Sequence, residues 1–181
     1  GAVKVEELAV GDQVLTRDYG LQPVRWVGQR RMTRFDLIDH PKLNPIRIKA
    51  GALGDALPQR DMMVSPQHRM LMSGARAEMF FGEAEVLVAA THLVGESGVE
   101  RVYPNGVTYI HVMFDQHQII KADGAWTESF QPGDYTLKGM GNAQRNEIYE
   151  LFPELKTNAG LENYGAARRT LKKHEARLLV K

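Results

Sequence analysis

The chain of 181 residues contains no cysteine, and this absence excludes several kinds of chemistry. Without thiols these residues can form no disulfide, no thiolate metal site and no cysteine nucleophile. Two histidines placed four apart on one helix, a common zinc-binding pattern, are also missing. The six histidines are scattered and show no metal-ligand spacing. We therefore expect neither a metal nor a cofactor.

An excess of one charge and a long apolar run are lacking as well. The formal net charge at pH 7 is +1, whereas a dedicated nucleic-acid-binding domain usually carries a clear basic excess. No apolar run approaches the roughly 20 residues that a transmembrane helix needs. The sequence thus predicts a globular protein with neither a nucleic-acid nor a membrane partner.

Short strand-like segments, separated by frequent turns, dominate residues 1–130. The best hairpin signal is Asn105-Gly106, which lies between two runs rich in strand formers, 99–103 and 107–114. Many short strands of this kind favour a mostly β fold of compact, curved antiparallel strands. We expect the first strand to begin near Val3.

The remaining residues, 131–181, predict a helical C-terminal extension packed on the β domain. Asn142 can cap a first helix, which Pro153 ends. A second helix fits residues 164–179, where Leu171 and later leucines form one apolar stripe. The opposite face of this helix is basic, which indicates a solvated surface or, alternatively, contact with a membrane or a nucleic acid.

Two short motifs contain side chains that can move protons. Ser65-Pro66-Gln67-His68 places a hydroxyl and an imidazole in one turn, and Asp115-Gln116-His117 places a carboxylate beside a second imidazole. A histidine whose pKa lies near neutrality can act as an acid or as a base. Each motif also fits a plain polar turn with a locally bonded histidine, and the residues alone leave both interpretations open.

Three stretches of the chain resemble the Hint domains of inteins, hedgehog proteins and bacterial intein-like proteins. Residues 5–16 are similar to the early strands of that family. Ser65-Pro66-Gln67-His68 resembles its Thr-x-x-His motif, with serine in place of threonine. Residues 109–124 resemble its penultimate motif, in which a histidine, here His117, precedes Ala-Asn-Gly, here Ala-Asp-Gly. The order of the three stretches predicts a Hint-type fold.

The resemblance implies self-processing. In the family a leading Cys or Ser attacks the preceding carbonyl and converts a peptide bond into a thioester or an ester. By this resemblance His68 would protonate the departing amide nitrogen and Ser65 would orient the scissile peptide. His117, with Asp115 beside it, would assist a later proton transfer. The partner would then be the flanking N-terminal polypeptide of the same chain.

The sequence departs from the family at the nucleophile and at the end of the domain. We expect the leading nucleophile upstream of Gly1, so that the 181 residues alone are N-terminally truncated, inert and without turnover. The His-Asn pair that ends splicing members falls on Glu128-Ser129, which cannot cyclise, and the acidic residue of the penultimate strand falls on Ile110. Splicing is therefore expected to be lost, and cleavage of the N-terminal flank remains.

Two other functions stay open from the sequence. The first is a degenerate Hint fold that serves as a structural or interaction module in a larger, secreted bacterial protein. A Cys or Ser directly upstream of the domain would favour processing over this alternative. The second is an unrelated β-rich hydrolase with a Ser–His pair, although the Gly-x-Ser-x-Gly nucleophile elbow is missing. The sequence fixes neither the localisation nor the oligomeric state.

Overall fold

A computed structural model describes residues 1–130 and 165–179, together with Asn146 and Glu150. Within these residues the strands are β1 (Gln13–Thr16), β2 (Gly20–Pro23), β3 (Trp26–Thr33), β4 (Ile46–Ile48), β5 (Met62–Val64), β6 (Arg69–Ser73), β7 (Glu85–Ala89), β8 (Val99–Arg101), β9 (Gly106–Met113), β10 (Ile119–Ala122) and β11 (Ala125–Glu128). The helices are α1 (Arg34–Asp39), α2 (Ala75–Phe81), α3 (Ala90–Leu93) and α4 (Lys173–Leu179). Short 3-10 turns occupy Val5–Glu7 and Pro41–Leu43.

The strands form three antiparallel sheets, which confirms the expected mostly β fold. The largest sheet has the order β2-β1-β10-β11-β6-β7, and a smaller one has the order β5-β4-β8. Strands β3 and β9 form a long ribbon that pairs Trp26 with Met113 at one end and Thr33 with Gly106 at the other. Because β11 lies between β10 and β6, residues from distant parts of the chain meet at this strand.

The predicted hairpin at Asn105-Gly106 is wrong. Strand β8 pairs with β4 and strand β9 pairs with β3, so the two flanking runs belong to different sheets. The physical reason is that β9 finds an eight-residue ladder on β3, which a local hairpin with the short β8 could not match. A two-residue hairpin turn instead joins β10 and β11 at Asp123-Gly124, where both residues have positive φ, 46° and 83°.

The first strand begins at Gln13 and not near Val3, which corrects the sequence prediction. The chain turns at Gly11-Asp12 before it enters the sheet. The Asp12 carboxylate accepts a hydrogen bond from the amide of Ala9 at 2.8 Å, and the Gly11 amide donates to the carbonyl of Val24 at 2.8 Å. These turn contacts use backbone groups that a strand at the N-terminus would need.

Hydrophobic residues form three clusters. The main core lies between the large sheet, the β5-β4-β8 sheet and the helices α3 and α4; its members include Ile46, Ile48, Met70, Val86, Val88, Leu93, Val99, Leu171 and Ala176. A second cluster joins the β3–β9 ribbon to α1 and contains Met32, Leu37, Leu43, Tyr109 and Phe130. The third consists of Val24, Val112 and Phe114, with Leu8 packed against it.

Residues 165–172, here called the edge segment, are not helical, although the sequence predicts a helix over 164–179. Thr170 forms a parallel bridge to Leu87, flanked by hydrogen bonds from the Leu87 amide to the Arg169 carbonyl and from the Leu171 amide to the Leu87 carbonyl. Strand β7 is the edge of the large sheet, and its unpaired backbone groups compete successfully with helix formation.

Helix α4 begins only after the edge segment. The Glu175 carboxylate accepts a hydrogen bond from the Lys172 amide at 2.8 Å, which satisfies one of the free amides at the start of the helix. The predicted first helix, from Asn142 to Pro153, lies outside the described residues apart from Asn146 and Glu150. Among the described helices, none has the length and apolar character needed to cross a membrane.

Candidate functional site

The Ser65-to-His68 motif forms a fixed turn between β5 and β6. The His68 amide donates to the carbonyl of Ser65 at 3.1 Å, which closes the turn. The first turn of α3 then holds it from outside, because the amides of Ala90 and Thr91 donate to the carbonyls of His68 and Pro66 at 2.8 and 2.9 Å. Both proton-handling side chains of the motif thus start from a rigid backbone.

The hydroxyl of Ser65 is buried and has no hydrogen-bond partner among the described residues. A buried polar group without a partner costs about 1–3 kcal/mol of stability. A functional site can tolerate this cost when the side chain hydrogen-bonds a substrate group that binds there. The Ser65 hydroxyl is therefore a group that can bond to a peptide entering the site.

His68 is held by a hydroxyl from β11. Its Nε2 atom hydrogen-bonds Oγ1 of Thr127, and the same hydroxyl lies 3.0 Å from the carbonyl oxygen of Arg69. A hydroxyl has a single proton, and the carbonyl of Arg69 can only accept it, so Thr127 accepts its other bond from Nε2–H of His68. This assigns the proton of neutral His68 to Nε2 and leaves Nδ1 as the nitrogen that can accept a proton.

The surroundings of His68 favour its neutral form. Burial lowers the pKa of His68 below its ordinary value, since a charged imidazole loses solvation in the interior. The negative charge of Glu128 opposes this effect, while Arg69 and His117 add to it. A neutral imidazole with a free nitrogen is suited to remove a proton from a nucleophile near pH 7.

Glu128 is a buried, ionised carboxylate at the end of β11. Its Oε1 accepts a hydrogen bond from the Arg69 amide at 2.9 Å, and its Oε2 lies 3.2 Å from Nε2 of His117 and 3.6 Å from the guanidinium of Arg69. Burial alone would raise the pKa of Glu128, but the charge of Arg69 and the close contact with His117 outweigh burial and lower it. A fixed negative charge therefore lies inside the domain, close to both histidines of the motifs.

His117 meets His68 in this cluster. Its Nε2 faces Glu128, and its Nδ1 accepts a hydrogen bond from the Ala167 amide at 2.9 Å. His117 and Glu128 both influence the pKa of His68, so the three side chains lie close together. His68 and His117 thus both lie near Glu128, and consecutive residues of β11 contact the two imidazoles. Ser65 shares the turn of His68.

The Hint domain family model matches residues 1–134, a range that includes every residue of this cluster except Ala167. The chain belongs to the Hint domain family. No curated protein and no solved structure matches it. The Hint domain has an autoprocessing-type fold, and the edge segment and α4 lie outside the matched residues.

Asp115 stands apart from the cluster of this Hint domain. Its carboxylate forms an ion pair with the Arg25 guanidinium, with nitrogen–oxygen distances of 2.9 to 3.0 Å. The side chain of Asp115 is 70% exposed. The carboxylate that accompanies His117 is therefore that of Glu128, which the sequence assigned only as a replacement for the histidine of a splicing site.

His111 belongs to the cluster, and sequence analysis missed it. Burial lowers its pKa to about 3, and the nearby His68 adds to this shift. Its ring contacts Phe130 edge-on, with centroids 5.5 Å apart. The signal that could have found it is the strand alternation of β9, which places His111 on the same face as Tyr109 and Met113.

Thr127, Glu128 and Arg69 are the other residues that the motifs did not reveal. The three come from β11 and β6, which pair through Thr127 and Met70. Their only sequence signal is the presence of polar residues in strands that are otherwise apolar. Among the described residues, no group of three or more His, Cys, Asp or Glu side chains is placed to hold a metal ion. The cluster is suited to proton transfer and to binding a polar peptide group.

Proposed function

We propose that this Hint domain breaks the peptide bond at its N-terminal flank by an N–O or N–S acyl shift, when a Ser or Cys precedes it. The observation that supports this most directly is the half-buried neutral imidazole of His68, which Thr127 bonds and which shares a turn with the unpartnered hydroxyl of Ser65. A buried hydroxyl without a partner can bond a peptide that enters the site.

The chemistry follows from the protonation states. Nδ1 of His68 accepts the proton of the flanking hydroxyl or thiol, whose oxygen or sulfur adds to the preceding carbonyl carbon. The Ser65 hydroxyl donates a hydrogen bond to the peptide and so holds the carbonyl in place. The carbon–nitrogen bond then breaks, and the proton on His68 passes to the departing amide nitrogen. The flank is left as an ester or thioester, which water or an added nucleophile releases.

The N-terminal residues can bring a flank to this cluster. Leu8 packs against the hydrophobic cluster of Val112, and the carbonyl of Val112 accepts a hydrogen bond from the Phe130 amide at 2.7 Å. Phe130 contacts the ring of His111, which lies in the cluster. Between this anchor and the flank lie four residues and the 3-10 turn of Val5–Glu7, which together can span roughly 20 Å at most. A flank joined at Gly1 is therefore within reach.

Cleavage without splicing is the outcome that the end of the domain supports. The two residues at the position of the family's His-Asn pair are both bonded inside the protein. Glu128 bonds Arg69 and His117, and the Ser129 hydroxyl accepts a hydrogen bond from the Gln118 amide at 2.9 Å. Neither side chain carries the amide that cyclisation requires.

The test uses the chain joined to its native upstream residues, treated with dithiothreitol or hydroxylamine and analysed by intact mass. We expect release of the flank, loss of release in His68→Ala, and unchanged release in His40→Ala, which removes an exposed histidine. An intact flank in the parent chain, or equal cleavage in His68→Ala, would overturn the proposal. An upstream residue other than Cys, Ser or Thr would instead favour a structural module.

A further inference from the structure

The edge segment supplies a hydrogen bond to the cluster from outside the residues that the family shares. The Ala167 amide donates to Nδ1 of His117 at 2.9 Å, and the other ring nitrogen, Nε2, lies 3.2 Å from Oε2 of Glu128. A ring nitrogen that accepts a hydrogen bond carries no proton. Neutral His117 is therefore fixed with its proton on Nε2, which faces Oε2 of Glu128.

We propose that His117 is a positioning residue and that the Ala167 amide selects its tautomer, so that the edge segment completes the site. This assignment of roles rests on the proposed cleavage function. The edge segment bonds Nδ1 of His117, Nε2 faces Glu128 at 3.2 Å, and the side chain is fully buried. His117 consequently packs against the Glu128 carboxylate, whose other oxygen accepts a hydrogen bond from the Arg69 amide next to His68.

Independent anchors on the edge segment keep the Ala167 amide in place. The Arg168 guanidinium bonds Glu85 at 2.9 Å and Asp18 at 2.6 and 3.0 Å, so it links strand β7 and the turn between β1 and β2 to the segment. The backbone of the segment pairs with Leu87, and Leu171 is buried in the main core. The hydrogen bond to His117 is thus made by a backbone that the rest of the domain has already ordered.

A proton carrier would need different geometry at His117. A histidine that carries a proton to the reacting peptide needs a ring nitrogen that can accept that proton. In His117 the Ala167 amide occupies Nδ1, so the edge segment would have to detach first. The neighbouring His68 has its Nδ1 available, since Thr127 engages only Nε2. The two histidines therefore have different roles: His68 transfers the proton, and His117 positions Glu128 and the neighbouring backbone.

Hydrogen exchange in two matched variants tests the contact. In His117→Asn the amide oxygen lies near the position of Nδ1 and still accepts from Ala167, whereas in His117→Gln the side-chain amide reaches toward Glu128 instead. We expect exchange at the Ala167 amide to be at least tenfold faster in His117→Gln and unchanged in His117→Asn. The Leu87 and Leu171 amides, which pair in the same ladder, report whether the segment stays docked.

The tautomer provides a second readout. Long-range proton–nitrogen spectra of the His117 ring should show a protonated Nε2 and an unprotonated Nδ1. Ala167→Pro removes the donor and should give a mixture of tautomers, while Ala166→Pro, whose amide donates to no described residue, should not. A protonated Nδ1 in the parent chain would overturn the proposal, as would unchanged Ala167 exchange in His117→Gln with the ladder intact.

Both readouts are independent of cleavage, so their failure is distinct from failure of the proposed function. In the chain with its upstream flank, His117→Asn should slow cleavage by up to roughly a hundredfold, the size of effect that misplacement by about 1 Å can cause. The pH profile of cleavage should keep its midpoint. A shifted midpoint would show that His117 itself carries the proton and would contradict the positioning role.

Discussion

At the scale of single residues, the cluster combines three imidazoles with one buried ion pair. Burial pushes His68 and His111 toward their uncharged forms. Glu128 stays charged because Arg69 faces it from the neighbouring strand. Burial has the largest effect on the imidazoles of His68 and His111, so their protonation is decided mainly by loss of solvent.

The first residue-scale prediction concerns acid stability. The pKa of His111 is about 3 in the folded chain, below its ordinary value of 6.5. Between these values the unfolded chain binds one more proton than the folded chain. The contribution of His111 to the free energy of unfolding is therefore complete above pH 6.5 and decreases by about 1.4 kcal/mol per pH unit as the pH falls toward 3. Urea unfolding at pH 7 and pH 4 should therefore differ by about 3 kcal/mol from this group alone.

The variant His111→Asn isolates the contribution of this group, because asparagine does not titrate in that range. The dependence of unfolding free energy on pH should become shallower by about one proton. His40→Asn, at an exposed histidine, should leave the slope as it is. An identical slope in the parent chain and in His111→Asn would show that this imidazole titrates normally in the fold.

The second residue-scale prediction concerns Glu128. In Glu128→Gln the buried Arg69 loses its charge partner while the shape of the side chain is kept. Removing one partner of a buried ion pair typically costs about 3–5 kcal/mol, whereas an exposed pair is worth less than about 1 kcal/mol. Asp115→Asn, which breaks the exposed pair with Arg25, is the matched comparison. Equal losses in denaturant unfolding at pH 7 would contradict the buried ion pair.

At the scale of elements, the turn between β10 and β11 sets the register that places Thr127 and Glu128. Gly124 has a φ of 83°, and an added Cβ would lie 2.9 Å from the side chain of Gln59. We expect Gly124→Ala to destabilise the fold by about 1–3 kcal/mol, the cost of holding alanine in this backbone region. Thermal unfolding of the variant measures the loss.

A second glycine separates backbone strain from the steric contact. Gly20 has a φ of 64°, but no atom lies within 4 Å of an added Cβ. Gly20→Ala should therefore show only the conformational cost and should unfold at a higher temperature than Gly124→Ala. The opposite order would mean that contact with Gln59 plays no part in fixing the turn.

The elements also show where sequence patterns succeed. Strand content and the Ser65 and His68 turn follow from local signals, namely alternation and a motif of four residues. The pairing of β9 does not follow from local signals. The Asn105-Gly106 signal is local, whereas β9 pairs with β3, which lies far away in the sequence. The role of Glu128 could not be predicted either, because it depends on the position of β11 between β10 and β6 in the sheet.

At the scale of the whole molecule, the edge segment and α4 contribute to the same core as the sheets. Leu171 is 1% exposed, whereas Leu178 on α4 is 45% exposed. Leu171→Ala should cost about 2–5 kcal/mol, because it leaves a cavity in the main core. Leu178→Ala should cost much less. We expect the edge segment, α4 and the large sheet to unfold in one common transition in denaturant. A separate, earlier transition of the edge segment and α4 would contradict this expectation.

The bridge between Thr170 and Leu87 has a consequence for how the domain behaves at high concentration. An uncovered β7 would present free amide and carbonyl groups to any other strand, and such edges promote association of sheets from different molecules. Backbone groups of residues 169–171 occupy this edge. Expression limited to the family-matched residues, 1–134, should therefore yield a protein that self-associates, whereas inclusion of the edge segment should keep it dispersed.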